Sequence, residues 1–553
     1  MTLSHGADRQ RWAKNATAKR AALLRSIPSE YRIPVDVFPP PTQLDVTKFP
    51  AESGWFTERE LEITSTSAPS LLDKIAGSEW TAEEVTKAFS KRAAAAHQLT
   101  NCLSETLFRE AIDTARALDA HLRRTGQTIG PLHGLPISLK DNFNIVGKDS
   151  TVGFTSWVND PARYNSILVE LLRNAGAVLY VKTNVPTAMM IAETVNNVFG
   201  RTVNPLNRAL TSGGSSGGES ALIAFGGSPL GVGTDIGGSL RIPAACTGIF
   251  TLRPSFGRFP TLGARSGLAG QEAVNSVNGP MGRTLDDILL FSKTVVGLEP
   301  WVQDPKCLPI PWRSVKIKQK LKLAVLWNDG MVTPTPPVQR ALKETADKLR
   351  KAGHEIVEWR PSLHAQALSV LGRMFVADGG KSLRAILGPT KEPFRPEMRA
   401  YREAEEMGVH AMWQLQLERT GLQKQFLDQW SSYGGLDAIL CPTTPYSSVE
   451  HGKFKYVGYT GVFNIVDYAA VSFPCGVIAD KEIDRPKPSH RPLSELDKEI
   501  RADYSQHVVH GMPVSLQLVA GRLEEEKVLE ITRVVLEALK KTEVLQTRNS
   551  SRL

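Results

Sequence analysis

The chain has 553 residues, of which 41% are hydrophobic and 22% are charged, and its formal net charge at pH 7 is +9. The length is sufficient for a large core, and the composition is that of a globular protein and excludes an intrinsically disordered chain. The 66 basic and 57 acidic residues are interspersed without a long basic run, so the sequence does not favour a nucleic-acid-binding surface.

The first part of the chain is predicted to be an extension that precedes the main domain. A charged amphipathic stretch from Trp12 to Ile27 indicates a helix, and the prolines of the next segment, 28–50, favour an extended strap across a surface. Farther on, Thr81 with Glu84 three residues later is the pattern of a capping box, which predicts a helix over "VTKAFSKRAAAAHQL".

Short apolar or β-branched runs then alternate with segments of helical length. The runs lie in "HGLPISLK", "SILVELLRNAGAVLYVKTN", "PLGVGTD", "LKLAVLWND" and "DAILCPTTP". This alternation predicts an α/β fold in which helices cover both faces of a mainly parallel or mixed sheet. Reactive groups in such sheets tend to lie in loops at the strand ends. The charged, proline-rich residues 479–506 are predicted to be a surface insertion.

The most unusual segment is "GGSSGGESALIAFGGSPLGVGTDIGGSLRIPAA", residues 213–245. A phosphate-binding loop would need a lysine directly after its glycines, and none follows here. A nucleophile elbow is a second interpretation, because residues 213–217 satisfy GxSxG and histidines that would serve as the base lie downstream. These are His451, His490, His507 and His510. That interpretation leaves the second loop, "GTDIGGS", without a function.

A third interpretation uses both loops. Amide hydrolysis needs a nucleophile, a base and donors that face the developing oxyanion. The main-chain N–H groups of consecutive residues in the second loop can converge on one oxygen, because glycine permits the necessary torsions. These residues are Ile236, Gly237, Gly238 and Ser239. Ser239 would then lie at the mouth of the oxyanion hole, and Lys140, which ends "HGLPISLK", is a candidate base because desolvation favours a neutral amine.

These segments resemble the amidase-signature hydrolases, which use a Ser-cisSer-Lys triad. The resemblance rests on the glycine-rich segment, on "PLHGLPISLKDNF" and on "HGMPVSLQLVAGRLEEEKVLEI". It is closer to the fungal acetamidases, through "KRAAAAHQLTNC", "ETVNNVFGRTVNPLN" and "AKRAALLRSIP", and more distant to fatty acid amide hydrolase. It implies a large twisted mixed sheet, with an extension at 1–69, a catalytic domain at 70–545 and a tail at 546–553.

The resemblance also implies roles for individual residues. Ser239 corresponds to the acyl-accepting nucleophile, Lys140 to the base, and Ser215 to the bridge between them, held by a cis peptide after Gly214. In the implied relay, neutral Lys140 takes a proton from Ser215, which takes one from Ser239 and later returns a proton to the departing nitrogen. Water then hydrolyses the acyl-enzyme, and no cofactor or metal is required.

The remaining candidate residues have two interpretations each. Asp235 and Arg241 either orient the loops by hydrogen bonds or simply pair with each other. Ser216 either supports its loop or caps the helix "ESALIAF", and capping is the favoured interpretation. Met189 and Met190 correspond by position to acyl-pocket residues of relatives, where they would line the substrate site together with Gly214 and Ser215, but methionines also fill cores.

The predicted function is therefore hydrolysis of the C–N bond of a small-molecule carboxamide, giving a carboxylate and ammonia or an amine. One alternative is the glutaminase subunit of a transfer-RNA amidotransferase, which shares the motifs and needs partner chains. Another is a binding protein that has lost the chemistry, although every triad residue is present. The resemblance makes a homodimer one expected assembly.

The expected location is a reducing compartment. Five separated cysteines show neither a CxxC pair nor metal-ligand spacing, and they are expected to be buried free thiols. The N-terminal residues lack the apolar segment of a secretory signal, and no apolar run is long enough to predict a transmembrane helix or stable membrane insertion. The final Ser551-Arg552-Leu553 is a conservative variant of the peroxisomal import tripeptide Ser-Lys-Leu, so the peroxisome is predicted, with the cytoplasm as the other location.

Overall fold

A computed structural model describes residues 4–486 and 491–550, with side chains for 11–486 and 491–541. The predicted import tripeptide lies outside the described residues, and both it and the division into an extension, a catalytic domain and a tail stay predictions. The strands are β1 (Leu103–Thr106), β2 (Pro136–Lys140), β3 (Val178–Thr183), β4 (Val195–Asn196), β5 (Gly200–Arg201), β6 (Val203–Asn204), β7 (Asn207–Thr211), β8 (Leu230–Asp235), β9 (Phe250–Arg253), β10 (Val277–Gly282), β11 (Lys322–Val325), β12 (Glu355–Glu358), β13 (Ala438–Pro442), β14 (Ala470–Ile478) and β15 (Pro513–Val519).

Helices surround these strands. They are α1 (Ser4–Ser26), α2 (Phe49–Glu52), α3 (Glu58–Ser65), α4 (Ala68–Ala76), α5 (Ala82–Thr100), α6 (Phe108–Thr125), α7 (Ile167–Asn174), α8 (Gly217–Ala224), α9 (Arg241–Thr247), α10 (Leu285–Gly297), α11 (Pro336–Lys351), α12 (His364–Phe375), α13 (Lys381–Leu387), α14 (Arg399–Glu403), α15 (Val409–Ser432), α16 (Gly458–Ile465), α17 (Glu495–Asp503) and α18 (Glu525–Ser550). Within the described ranges, no helix is long and apolar enough to cross a membrane.

One large sheet organises the molecule. Its eleven strands follow the order β1-β3-β2-β8-β10-β9-β14-β15-β13-β11-β12. Strand β2 is parallel to β3 and β8, and β11 is parallel to β12 and β13, whereas the other neighbours are antiparallel. The sheet is therefore mixed, and the predicted α/β class with a large mixed sheet is confirmed.

The pairing of β2 with β8 positions the site. Because these neighbours run parallel, with Ile137 beside Leu230 and Leu139 beside Val232, their carboxyl ends lie at the same edge of the sheet. Helix α8 precedes β8 in the chain and contacts both strands, and its Leu222 belongs to the same buried apolar cluster as Leu139 and Val232. The loop that enters α8 and the loop that leaves β8 are consequently brought to the end of β2.

The N-terminal residues are fastened to the body of the protein. The Lys19 side chain of α1 is buried and pairs with Glu105 and with Asp149, 2.7 Å away in the second case. In the proline-rich strap, the N–H of Val46 donates to the carbonyl of Pro205 at 2.9 Å. The strap is not extended throughout, since single 3₁₀ turns form at Ser29–Tyr31 and Val35–Val37.

Two local predictions are corrected by tertiary contacts. Thr81 accepts a hydrogen bond from the N–H of Glu84, as a capping box requires, but the Glu84 carboxylate turns away to pair with Arg59 at 2.9 Å, so the reciprocal half is missing. The predicted surface insertion contains α17, whose Asp497 and Ile500 are buried rather than solvated. Residues 487–490 of that insertion lie outside the described ranges.

Candidate active site

A lysine and two hydroxyl groups meet at the carboxyl ends of β2 and β8. The Nζ atom of Lys140 lies 2.8 Å from Oγ of Ser215, 2.7 Å from Oγ1 of Thr234 and 3.5 Å from the carbonyl oxygen of Thr234. Lys140 is 0% exposed and Ser215 is 1% exposed. The structure thus brings two of the three predicted triad residues into direct contact inside the protein.

The environment of Lys140 suits a base. Burial disfavours the ammonium form and, against the opposite effect of the Asp235 and Glu219 charges, lowers the pKa of Lys140 to about 7. A substantial fraction of the amine is therefore neutral near pH 7, and a neutral amine has the lone pair that accepts a proton from a neighbouring hydroxyl.

The peptide bond between Gly214 and Ser215 is cis, as the resemblance implies. At this point the first glycine-rich loop lies directly on another segment of main chain. A Cβ atom at Gly214 would be 2.6 Å from the carbonyl oxygen of Ile191 and 2.8 Å from the nitrogen of Glu193. Only glycine fits there, and its absence of a side chain lets the two segments touch.

Ser239 lies in the loop between β8 and α9. It is partly exposed, and its hydroxyl makes no hydrogen bond to another residue in the part of the chain that the structure describes, including Ser215. Its carbonyl oxygen accepts a hydrogen bond from the N–H of Ser216 at 3.2 Å, which ties the two glycine-rich loops together. The third predicted triad residue is thus held at the same site with a free hydroxyl.

The four N–H groups that were predicted to bind the oxyanion differ in whether they already have a hydrogen-bond partner. The N–H groups of Ile236, Gly237 and Ser239 make no hydrogen bond to any described residue, whereas that of Gly238 donates to Oδ1 of Asp235 at 2.8 Å. The N–H of Gly238 is thus already engaged by a carboxylate at the end of β8, and its assignment to the oxyanion hole stays a prediction. Gly238 has a φ of +133°, which allows the loop to turn there.

Both interpretations of Asp235 and Arg241 apply. The two side chains form a fully buried ion pair with two 3.1 Å contacts, and Asp235 also accepts the N–H groups of Gly238 and Leu240. Asn464 joins them, donating to Asp235 at 2.8 Å and accepting from Arg241 at 2.6 Å. Burial alone would raise the pKa of Asp235, but the charge and hydrogen bonds of Arg241 outweigh it and lower that pKa to about 2. The second loop is therefore anchored on a permanent carboxylate.

Removing the arginine of this pair is expected to destabilise the fold. Arg241→Ala would leave Asp235 as a buried charge without its partner, which costs about 3–5 kcal/mol. The half-exposed Arg522, which pairs with Asp467 at 2.8 Å, offers a matched control, because loss of an exposed pair costs about 1 kcal/mol or less. Chemical denaturation measures both values, and equal costs for Arg241→Ala and Arg522→Ala would contradict the anchoring role.

Ser216 supports the loop instead of capping α8. It stands at the N-cap position, but its side chain makes no capping hydrogen bond. Its hydroxyl instead accepts from the N–H and donates to the carbonyl of Thr234, each at 3.3 Å. The favoured sequence interpretation was wrong because the end of β8 passes close enough to compete for this hydroxyl.

Met189 and Met190 are half-buried in an apolar cluster that also contains Phe154 and Phe375. The Phe375 ring reaches the second glycine-rich loop, since its Cζ lies 3.4 Å from the position of a Cβ at Gly237. The same phenylalanine lines an open groove of about 450 Å³ together with Leu268 and Trp413. The methionines thus share an apolar cluster with a residue that touches the site.

Comparison with known proteins shows the family of this chain. Residues 84–529 match the model of the amidase family. The chain belongs to the amidase family. This amidase is 40% identical over 541 residues to the acetamidase of Emericella nidulans, covering 95% of this chain and 98% of that protein. It is 41% identical over 543 residues to the putative amidase kk1C of Curvularia clavata, with the same coverage of 95% and 98%.

A solved structure extends the likeness to the fold. The amidase superposes on a fatty acid amide hydrolase with a TM-score of 0.93 and 34% identity, covering 97% of this chain and 96% of that one. The family match, the relatives and this fold identify the chain as a hydrolase that acts on amides.

Sequence reasoning missed several residues of the amidase site. Thr234 contacts Lys140, Asn464 joins the buried ion pair, Phe375 lines the apolar cluster, and Glu219 lies buried in the first turn of α8. Thr234 and Glu219 stand inside the glycine-rich segment, so their proximity to the predicted serines was an available signal. Asn464 and Phe375 come from distant helices, and no local pattern marks them.

The histidines of the nucleophile-elbow interpretation do not reach the serines. Among the described residues, no histidine forms a hydrogen bond with Ser215 or Ser239. His451 instead lies 3.2 Å from the carbonyl oxygen of Arg208. His490 is outside the described ranges. The amidase site therefore offers a lysine, and no described histidine, as the base next to Ser215.

Proposed function

We propose that this amidase hydrolyses a carboxamide through an acyl-enzyme formed on Ser239. The observation that carries the proposal is the fully buried amine of Lys140, 2.8 Å from the hydroxyl of Ser215 and flanked by both oxygens of Thr234. In its neutral form the amine donates its two hydrogens to the Thr234 oxygens. Its lone pair is then left for the hydroxyl hydrogen of Ser215.

The acylation step moves two protons, each by one position along this path. Lys140 takes the proton of Ser215, Ser215 takes that of Ser239, and the Ser239 oxygen forms a bond to the carbonyl carbon. When the C–N bond breaks, Ser215 protonates the departing nitrogen and recovers its proton from Lys140. Water then attacks the ester by the same path and releases the carboxylate.

The free main-chain donors suit the charge that develops. The N–H groups of Ile236, Gly237 and Ser239 have no partner among the described residues, so each is available to the oxyanion of the tetrahedral intermediate. Such donors stabilise the transition state most where they are held in place before the reaction. Asp235 holds the neighbouring N–H groups of Gly238 and Leu240, which keeps the loop in position.

For the substrate, we propose a small or medium carboxamide, as the acetamidase of Emericella nidulans suggests by its name. A longer apolar acyl chain is the second candidate, favoured by the groove of about 450 Å³ that shares Phe375 with the apolar cluster. Ammonia release by the purified chain from amides graded by acyl length separates the two. Faster release from acetamide supports the first, and faster release from a long-chain amide supports the second.

Labelling with an alkyl fluorophosphonate tests the mechanism. Peptide mass mapping is expected to locate the adduct on Ser239, because this residue is partly exposed and belongs to the same loop as the free donors. An adduct on Ser215 would support the nucleophile-elbow interpretation, and absence of both label and turnover would support a binding protein. Glutaminase activity that appears only with a co-purified second chain would favour the amidotransferase subunit.

Activity is expected to fall as the pH drops below about 7. Lys140 must be neutral to accept a proton, and burial lowers its pKa to about 7, so each further pH unit on the acid side should cost about tenfold in kcat/KM. The pH profiles of kcat/KM and of fluorophosphonate labelling should share this acid limb. A midpoint near the ordinary lysine pKa of 10.5 would contradict the assignment.

A further inference from the structure

Glu219 is a fully buried carboxyl group in the first turn of α8, four residues after Ser215. Its Oε2 atom accepts a hydrogen bond from Ser138 at 2.6 Å, and its Oε1 atom accepts one from Thr183 at 3.0 Å. Both donors are neutral hydroxyls, and no ion pair involves Glu219 within the described ranges. Its hydrogen bonds therefore place no compensating cation beside it.

Ser138 connects this carboxyl group to the site. It is two residues before Lys140 on β2, so both side chains project from the same face of the strand. The space between the elements is closed, since a Cβ at Gly231 of β8 would collide with the Glu219 carboxylate and with Ser138. Helix α8 thus holds the carboxyl group of Glu219 against β2, the strand that ends at the proposed base, Lys140.

The proposed relay creates a need for negative charge here. When Lys140 takes up a proton, an ammonium forms at a residue that is 0% exposed, and a buried charge without compensation is costly. The Asp235 charge also acts on Lys140, but Asp235 is already paired with Arg241, and the Asp141 charge acts on the amine of Lys182. Among the described carboxyl groups whose charge acts on Lys140, Glu219 is the one that has no ion pair.

The neighbouring Cys102, Tyr180 and Lys182 do not supply the negative charge that Glu219 can supply. Burial raises the pKa of Cys102 to about 12 and that of Tyr180 well above its usual value, so both stay neutral. The Lys182 amine is engaged by the hydroxyl of Ser150 at 2.8 Å and by the carbonyl of Asp149. The remaining titratable or charged side chains on α5, β8 and α9, which contact α8, are Glu83, Glu84, Lys87, Lys91, Arg92, His97, Asp235, Arg241 and Cys246.

We infer that Glu219 is a positioning residue whose carboxylate supplies the counter-charge for the ammonium form of Lys140. This inference rests on the proposed function, because it concerns the charged state that the relay produces. Burial raises the pKa of Glu219 to about 8, although the Lys140 charge acts in the opposite direction, so the carboxyl group is mostly protonated over the acid limb and ionises above it. The counter-charge should therefore act on the alkaline side of the acid limb.

The test measures fluorophosphonate labelling of Ser239 against pH, which needs no knowledge of the substrate. Glu219→Gln keeps the size and the hydrogen-bonding oxygen but removes the charge. We expect it to keep the acid limb of the wild type, because Glu219 is mostly protonated there, and to lose the further rise in labelling that follows when the wild-type Glu219 ionises near pH 8. The alkaline plateau should therefore fall about tenfold, since the ammonium loses its counter-charge. Glu219→Asp keeps the charge and should restore much of the rise and of the plateau.

Glu525→Gln is the matched control, because Glu525 is equally buried but pairs with Arg258 at 3.1 Å. It should leave the acid limb and the alkaline plateau unchanged. A folded Glu219→Gln variant with the wild-type rise near pH 8 and the wild-type plateau would overturn the inference, as would an equal fall of the plateau in Glu525→Gln. If Glu219→Gln does not fold, Ser138→Ala replaces it, since loss of this donor disfavours the carboxylate and should move the rise near pH 8 to higher pH. An unshifted rise in that variant would also overturn the inference.

The Lys140→Met variant separates this inference from the proposed function. Normal labelling of Lys140→Met would refute Lys140 as the base, and with it both proposals. If Lys140→Met is not labelled while Glu219→Gln behaves like the wild type, the proposed function stands and the role of Glu219 alone is refuted.

Discussion

Ser239→Ala is expected to abolish amide turnover and leave the fold intact. The Ser239 hydroxyl is partly exposed and makes no hydrogen bond to a described residue, so its loss leaves no buried polar group without a partner. Loss of the nucleophile of a serine hydrolase lowers kcat by on the order of 10⁶-fold. Ammonia release should therefore disappear together with fluorophosphonate labelling, while the thermal unfolding temperature stays close to that of the wild type.

Ser505 offers a matched control for this variant. It is also partly exposed, its hydroxyl has no hydrogen bond to a described residue, and it lines a separate cavity near Tyr446. Ser505→Ala should retain wild-type turnover and labelling. Appreciable amide hydrolysis by a folded Ser239→Ala variant would refute Ser239 as the acyl-accepting residue.

Lys140→Met is expected to lower kcat/KM by about 10²–10⁴-fold, the usual contribution of a general base. Methionine has a similar length but carries no amine, so Ser215 would lose its proton acceptor. Burial lowers the pKa of Lys140, so the charged amine costs stability and, below the lysine pKa of the unfolded chain, this cost grows as the pH falls toward about 7. The free energy of unfolding of Lys140→Met at neutral pH should therefore equal or exceed that of the wild type.

Lys140→Arg distinguishes a base from a simple positive charge. The guanidinium stays protonated at every pH used for assay, so it keeps the charge but cannot accept a proton. It should be as inactive as Lys140→Met. Substantial turnover by Lys140→Arg, or a larger loss on replacing His451 than on replacing Lys140, would refute the proposed base.

Much of the site was accessible from the sequence because its key residues lie in two short motifs and one strand end. Through their resemblance to the amidase-signature hydrolases, the glycine-rich segment and "HGLPISLK" predicted Lys140, Ser215 and Ser239, and the structure holds the first two 2.8 Å apart with the third in the adjoining loop. The sequence did not show which partner each polar group finds. Ser216 was misassigned because the main chain of Thr234 competes for its hydroxyl, and the bond from the N–H of Gly238 to Asp235 was not foreseen.

The amino-acid sequence by itself determined the alternation of strands and helices, and hence the α/β class, because hydrophobic periodicity is a local property. It also determined where glycine permits close contacts and where a lysine ends a strand. Only the tertiary structure decided that Thr234 meets Lys140, that Asn464 completes the Asp235 and Arg241 pair, and that Glu219 faces Ser138. These contacts depend on the parallel pairing of β2 with β8 and on the packing of α8 and α16, and such long-range register is not written in any local stretch of residues.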